Sequence, residues 1–166
     1  MNSGSGSQLP ILGLFGWLAV TFVAAVVGAL GSTDAASFYA QLNRPSWAPP
    51  GFWFGPVWSV LYVLMAVAAW LVWRQPKRLG ARAPLLLFLL QLVFNALWSW
   101  LFFALRLGGL AFIDALVLLA LIVGTVVSFW RVSRLAGALM LPYLAWVGFA
   151  SVLTWVVWQR NPTLLG

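Results

Sequence analysis

The chain has 166 residues, of which 64% are hydrophobic and 7% charged, with a mean hydropathy of +1.01, and that balance excludes a water-soluble surface. The net charge of +7 arises from nine Lys and Arg set against Asp34 and Asp114, with no Glu; the basic residues sit at segment ends, where they snorkel toward headgroups, so no nucleic-acid partner is implied. Cys and His are absent, which removes disulfides, thiolate nucleophiles, imidazole bases and the usual transition-metal ligands, so no metal site is expected.

Taken in chain order, the opening "MNSGSGSQ" (1–8) reads as a mobile tail. It lacks the basic n-region of a secretory signal, so the apolar stretch after it is expected to be a retained helix. Apolar runs of about 20 residues, the length that crosses a ~30 Å hydrocarbon core, then predict five spans at 9–30, 52–73, 84–105, 109–130 and 136–158. These predict an all-α membrane protein, a five-transmembrane-helix bundle forming one domain over 9–160, with a lid-like loop at 31–51 and a C-terminal tail at 161–166. The breaks between spans carry charge, Gly or Pro, as in "RQPKRLGARAP" and "RVSRLAG". No internal repeat is visible, which argues against an inverted-repeat transporter. Arg74, Lys77, Arg78, Arg82, Arg131 and Arg134 lie on one side, against Arg44, Arg106 and Arg160 on the other. That asymmetry predicts an inside N-terminus and an outside C-terminus, in a bacterial inner membrane if the host is bacterial.

The stretch "RPSWAPPGFWFGPVWSVLY" (44–62) is the least expected. Pro45, Pro49, Pro50 and Pro56 restrict the backbone and lower the entropy lost on ordering, while Trp47 and Trp53 supply broad apolar faces. It reads either as a preformed lid or as a stiff turn that delivers span two at a fixed angle. Span two follows with Trp58, Tyr62 and Met65 on one helical face. Span three, "QLVFNALWSWLFF", brings Gln91, Asn95 and Trp98 onto a shared face with Ser99 beside them. Polar groups at membrane depth must face other helices or a cavity, so this face predicts interhelical hydrogen bonds or ligand contacts. Asp114, early in span four, is costly there unless paired; an ion pair with Arg106 is one reading and a proton-linked or catalytic acid the other. Asp34 reads as a solvated or turn-forming residue. Span five offers Tyr143, Trp146 and Ala150 after Pro142. Since 12 Trp exceed what interfacial belts require, Trp58, Trp98 and Trp146 are expected either to pack ordinarily or to converge on one aromatic pocket suited to a flat, hydrophobic guest.

These residues resemble the TspO/MBR family of tryptophan-rich sensory proteins, translocator proteins and peripheral benzodiazepine receptors. The resemblance is carried by "LNRPSWAPPGFWFGPVWSVLY" at 42–62, "QLVFNALWSWLFF" at 91–103, "IDALVLLALI" at 113–122 and "LPYLAWVGFASVL" at 141–153, and it covers the chain from about residue 10 onward. It implies a five-helix bundle, often a homodimer, with a pocket beneath the loop between the first two spans. It further implies porphyrin ligands, notably protoporphyrin IX, and benzodiazepine-type compounds, with no required cofactor. Matched position by position, the loop and pocket residues are Trp47, Pro49, Pro50, Trp58, Gln91, Asn95, Trp98, Tyr143, Trp146 and Ala150. Tyr62 joins this ligand-binding set from its place on the Trp58 face. Trp58 and Trp146 match paired tryptophans associated in some bacterial relatives with light-dependent porphyrin degradation, and Asp114 matches the family's acid in its fourth helix. Two departures stand out: Thr154 occupies the family's usual Asn position, and Trp155 replaces the Tyr of the proposed cholesterol motif in "VLTWVVWQR", so cholesterol is not an expected partner.

Three functions follow as expectations: a membrane receptor for porphyrins, photo-oxidative breakdown of the bound porphyrin through Trp58 and Trp146, and transport of porphyrin or another amphiphile across the membrane. No nucleophile–base arrangement for conventional catalysis is visible.

Overall fold

A computed structural model describes residues 8–75 and 82–166, with side chains from residue 11 onward. The predicted tail at 1–8 lies almost wholly outside these residues. Helix α1 spans Gln8–Leu30, and a short helix α2, Ala35–Gln41, crosses the loop that follows. A 3₁₀ turn at Gly51–Trp53 leads into α3, Phe54–Trp73. Next come α4, Arg82–Ser99, which runs on into a π turn at Trp100–Ala104, and α5, Gly108–Val132. Helices α6, Arg134–Leu139, and α7, Leu141–Arg160, together form the last span, and α8, Pro162–Leu165, closes the described chain. Five of these stretches are long and apolar enough to cross a membrane, and no strand occurs among the described residues. The protein is therefore an all-α, multi-pass membrane bundle.

The proline positions explain several helix ends. Pro56 and Pro142 fall in the first turns of α3 and α7, where the missing N–H costs no hydrogen bond. Pro142 cannot continue a helix from α6, so the last span breaks at Met140, whose amide bonds the Gly137 carbonyl at 3.1 Å.

Packing places the spans in a ring: α1 lies between α3 and α4, α5 between α4 and α7, and α3 meets the last span chiefly through α6. Helices α3 and α7 meet through few residues. Ala66, Ala68 and Ala69 of α3 are fully buried; such small residues let helix backbones approach closely where no hydrophobic effect pulls helices together in lipid. One core, around Met65, Phe88, Phe129 and Tyr143, occupies the bundle centre. A second, around Phe38, Leu42, Phe102 and Leu165, sits at the end that carries the loop. Outward-facing Phe15, Phe22, Leu86, Ile113 and Val152 are exposed, as a hydrocarbon environment permits.

The predicted C-terminal tail is part of this second core. Leu165 is buried, and the Asn161 side chain holds the loop: its Oδ1 accepts from the Asn43 amide at 2.8 Å, and its Nδ2 donates to the Asn43 carbonyl at 3.2 Å and the Val157 carbonyl at 2.7 Å.

Candidate functional site

The loop between α1 and α3 forms a roof. Phe38 of α2 inserts its ring edgewise against Phe102 and Phe103 of the π turn, at 6.4 and 6.5 Å between centroids. Tyr39 meets Phe54 edge-on at 5.4 Å and donates its hydroxyl to the Pro49 carbonyl at 3.0 Å, which ties α2 to the proline segment. The Arg44 guanidinium lies 4.6 Å above the Tyr39 ring, a cation–π contact. Burial pushes the Tyr39 hydroxyl above its ordinary range, and the hydrogen bond and charge of Arg44 offset part of that rise. Asp34 ends the turn before α2: its carbonyl accepts from the Phe38 amide and the Ser37 hydroxyl.

Beneath the roof runs a chain of buried polar groups. The Tyr62 hydroxyl donates to Asn95 Oδ1 at 2.6 Å, Asn95 Nδ2 donates to the Tyr143 hydroxyl at 3.0 Å, and that hydroxyl donates to Gln91 Oε1 at 2.8 Å. Gln91 Nε2 then reaches the Met65 sulfur at 3.9 Å. Three helices, α3, α4 and α7, are thereby cross-linked by side-chain hydrogen bonds. Gln91 is 0% exposed, so its amide is committed to the bundle. The predicted face of span three divides accordingly: Gln91 and Asn95 join this chain, whereas Trp98 stacks on Phe102 at 5.1 Å and 10°. Thr154 bonds within its own helix, to the Ala150 carbonyl at 2.8 Å, and makes no interhelical hydrogen bond among the described residues.

A large cavity, about 810 Å³, lies between this polar chain and the roof. Trp58, Phe54, Trp98 and Phe103 supply aromatic wall, Tyr62 and Asn95 supply polar atoms, and Pro50, Tyr39 and Arg44 belong to the roof. Small residues of α1, Ala25, Gly28 and Ala29, form the opposite wall. A groove of about 650 Å³ between α1 and α3 shares Ala25, Trp58 and Tyr62 with this cavity. On the other side, where α3 and α7 part, an apolar groove of about 680 Å³ is lined by Trp47, Pro49, Trp53 and Trp146.

Trp58, Trp98 and Trp146 do meet around one hollow, together with Asn95 and Ala150, but it holds only about 30 Å³. That is room for a water-sized occupant, not for a planar macrocycle. The sequence-derived set therefore splits. Pro50, Trp58, Tyr62, Asn95 and Trp98 line the large cavity; Trp146 and Ala150 line the small hollow; Trp47 and Pro49 line the α3–α7 groove; Gln91 and Tyr143 line none of these. Trp146 packs on Phe54 and Phe149, each at 5.8 Å, and its Nε1 is buried without a hydrogen-bond partner among the described residues.

The predicted pairing of Asp114 with Arg106 does not occur. Arg106 takes a left-handed backbone conformation, φ 56°, and its guanidinium lies 4.7 Å above the Phe38 ring. Asp114 is buried on α5, and neither carboxylate oxygen has a hydrogen-bond partner among the described residues. Sequence reasoning also passed over Tyr39, Arg44 and Asn161. The signal for the first two was present: Arg44 is the only basic residue in the loop at 31–51, and Tyr39 is its only tyrosine.

Similarity to known proteins agrees with this architecture. A model of the TspO/MBR family matches residues 17–159. The translocator protein of Homo sapiens is 40% identical over 130 residues, covering 77% of each chain. The tryptophan-rich protein TspO of Chlorobaculum tepidum is 38% identical over 141 residues, 82% of this chain and 89% of that protein, and protein CrtK of Rhodobacter capsulatus is 40% identical over 148 residues, 87% and 92% respectively. With the family match spanning most of the chain and relatives aligned over 77–92% of their lengths, this five-span bundle belongs to the TspO/MBR family.

Proposed function

We propose that this protein is a membrane receptor that binds porphyrins, protoporphyrin IX foremost, and related flat hydrophobic ligands in the roofed cavity. The observation that carries this reading is the cavity itself: about 810 Å³ walled by Phe54, Trp58, Trp98 and Phe103, with Asn95 and Tyr62 as localised polar groups. Its size falls in the range of small-molecule sites, which are largely apolar with a few placed polar groups. Phe54 and Tyr62 both line it and stand about 12 Å apart along α3 at 1.5 Å per residue, enough depth for a planar ring system. The receptor resides in a bacterial inner membrane as a homodimer, with its N-terminus inside and its C-terminus outside, an orientation supported by the distribution of Arg and Lys.

Titration of protoporphyrin IX into the detergent-solubilised protein, followed by Trp fluorescence, tests this reading. Quenching is expected to saturate at one ligand per chain. Trp58→Ala removes a cavity wall and is expected to weaken binding about tenfold, the scale of one aromatic contact, with a smaller effect from Trp146→Ala. Unaltered affinity in Trp58→Ala would remove the cavity from consideration.

A second reading, light-dependent oxidation of the bound porphyrin by dioxygen, is favoured by one arrangement: Trp58 lines the cavity and packs 5.6 Å from Tyr62, so an indole and a phenol lie side by side at the site. Illumination of the complex in air decides it. Bleaching no faster than that of free porphyrin in the same detergent excludes it.

A further inference from the structure

Arg44 is the only charged residue lining any of the four cavities described above. It is also well placed. Its guanidinium lies over the Tyr39 ring; that ring is fixed edge-on against Phe54, and its hydroxyl is tied to Pro49. The cation is thus held at the roof by an aromatic that cannot easily swing away. The chain offers it little internal competition, since its only acids are Asp34 and Asp114. Asp114 is buried in α5, and no ion pair to Arg44 forms among the described residues. The rest of the lining is neutral: Ser32, Thr33 and Ser99 near the roof, Tyr62 and Asn95 below, and apolar surface between. One end of the cavity therefore carries a positive charge, and the remainder is neutral and mostly apolar with a few hydroxyl and amide groups.

We propose that Arg44 recognises an anionic group on the ligand, so that the cavity selects flat apolar molecules bearing a carboxylate and discriminates against their neutral esters. This rests on the receptor reading above. Guanidinium presents a planar fork of donors that matches a carboxylate, and a stacked guanidinium loses little freedom on pairing. Arg44 is exposed at the roof, so solvent and salt weaken the pair. An advantage on the order of tenfold for the acid is the scale to expect from a charge-assisted bond in such a setting.

The test compares protoporphyrin IX with its dimethyl ester on the full-length protein in a neutral detergent. Wild type is expected to bind the diacid about tenfold more tightly than the diester, with the gap closing as salt is raised. In Arg44→Gln the ratio of diacid to diester affinity should fall to within about twofold, and Arg44→Lys should keep part of the gap. Because each variant is scored by this ratio, a general change in the roof that affects both compounds alike does not alter the outcome, and saturable binding of the diester shows that the cavity is intact. Equal affinity for acid and ester in wild type, or an undiminished gap in Arg44→Gln, overturns the assignment to Arg44 while leaving the receptor reading in place. Failure of wild type to bind either compound saturably overturns both.

Discussion

Replacing Asn161 with Ala is expected to loosen the roof of the cavity from a position outside its lining. The Asn161 side chain is 6% exposed and makes three hydrogen bonds, two of them to the backbone of Asn43 in the loop and one to Val157 in its own helix. At about 1 kcal/mol net per bond, losing the two that cross to the loop lowers the free energy of local opening by about 2 kcal/mol. The loop would not detach, because Phe38 and Leu42 remain buried in the core at that end. An opening equilibrium shifted by ~2 kcal/mol corresponds to about thirtyfold faster exchange of the Asn43 amide. Hydrogen exchange of the detergent-solubilised protein, read on peptides spanning 42–50, measures this directly. Exchange at Asn43 within twofold of wild type in a folded Asn161→Ala protein would show that the apolar contacts alone hold the loop and that the amide clamp contributes nothing.

Three other substitutions probe the frame around the cavity. Tyr143→Phe deletes the hydroxyl that links Asn95 to Gln91 and should lower stability by about 1–2 kcal/mol, given the modest worth of hydrogen bonds between membrane helices; an unshifted thermal unfolding midpoint in detergent would count against the polar chain as a cross-link. Gly108→Ala places a methyl group 2.5 Å from the Trp158 ring and 3.0 Å from Leu165 Cβ, and crowding of this kind costs about 1–3 kcal/mol. Cleavage of the C-terminal residues by carboxypeptidase should then accelerate, and wild-type resistance would mean that Trp158 moves aside without penalty. Trp100→Phe removes the 2.9 Å bond from the indole to the Val27 carbonyl, which pins α1 to the π turn; a loss of about 1 kcal/mol is expected, and denaturation in graded SDS should detect it.

The five spans were legible because each is a long apolar run closed by charge, Gly or Pro, and membrane-crossing length is a strong constraint. The division of the last span was less so, although Pro142 carries its cause. Helical periodicity correctly put Gln91 and Asn95 on one face, but it does not say what that face meets. Only the fold brings Tyr62 and Tyr143 to them from two other helices. The same limit explains the misplaced ion pair. Arg106 and Asp114 are close in sequence, yet the π turn before Arg106 and its left-handed backbone set a chain path that carries the guanidinium to Phe38. Asn161 and Asn43 lie 118 residues apart, so no local pattern connects them.

Tryptophan abundance misled in a more instructive way. An indole is at once a broad apolar body and a single hydrogen-bond donor, so the same residue can brace a helix or line a cavity. Trp100 donates to Val27 and Trp158 to the Gly166 carbonyl; both are anchors that fasten chain segments. Trp98 is shared, stacked into the core on one face and lining the large cavity. Trp58 lines the large cavity, the small hollow and the groove between α1 and α3, whereas Trp146 faces the small hollow and the groove between α3 and α7. The two indoles that the family resemblance pairs thus share only the small hollow, of about 30 Å³, and otherwise line different cavities. A macrocycle touching both at once would have to enlarge that hollow by parting α3 from α7, which meet through few residues. On the receptor reading proposed above, a ligand in the large cavity meets Trp58 without rearrangement, whereas contact with Trp146 as well requires that separation.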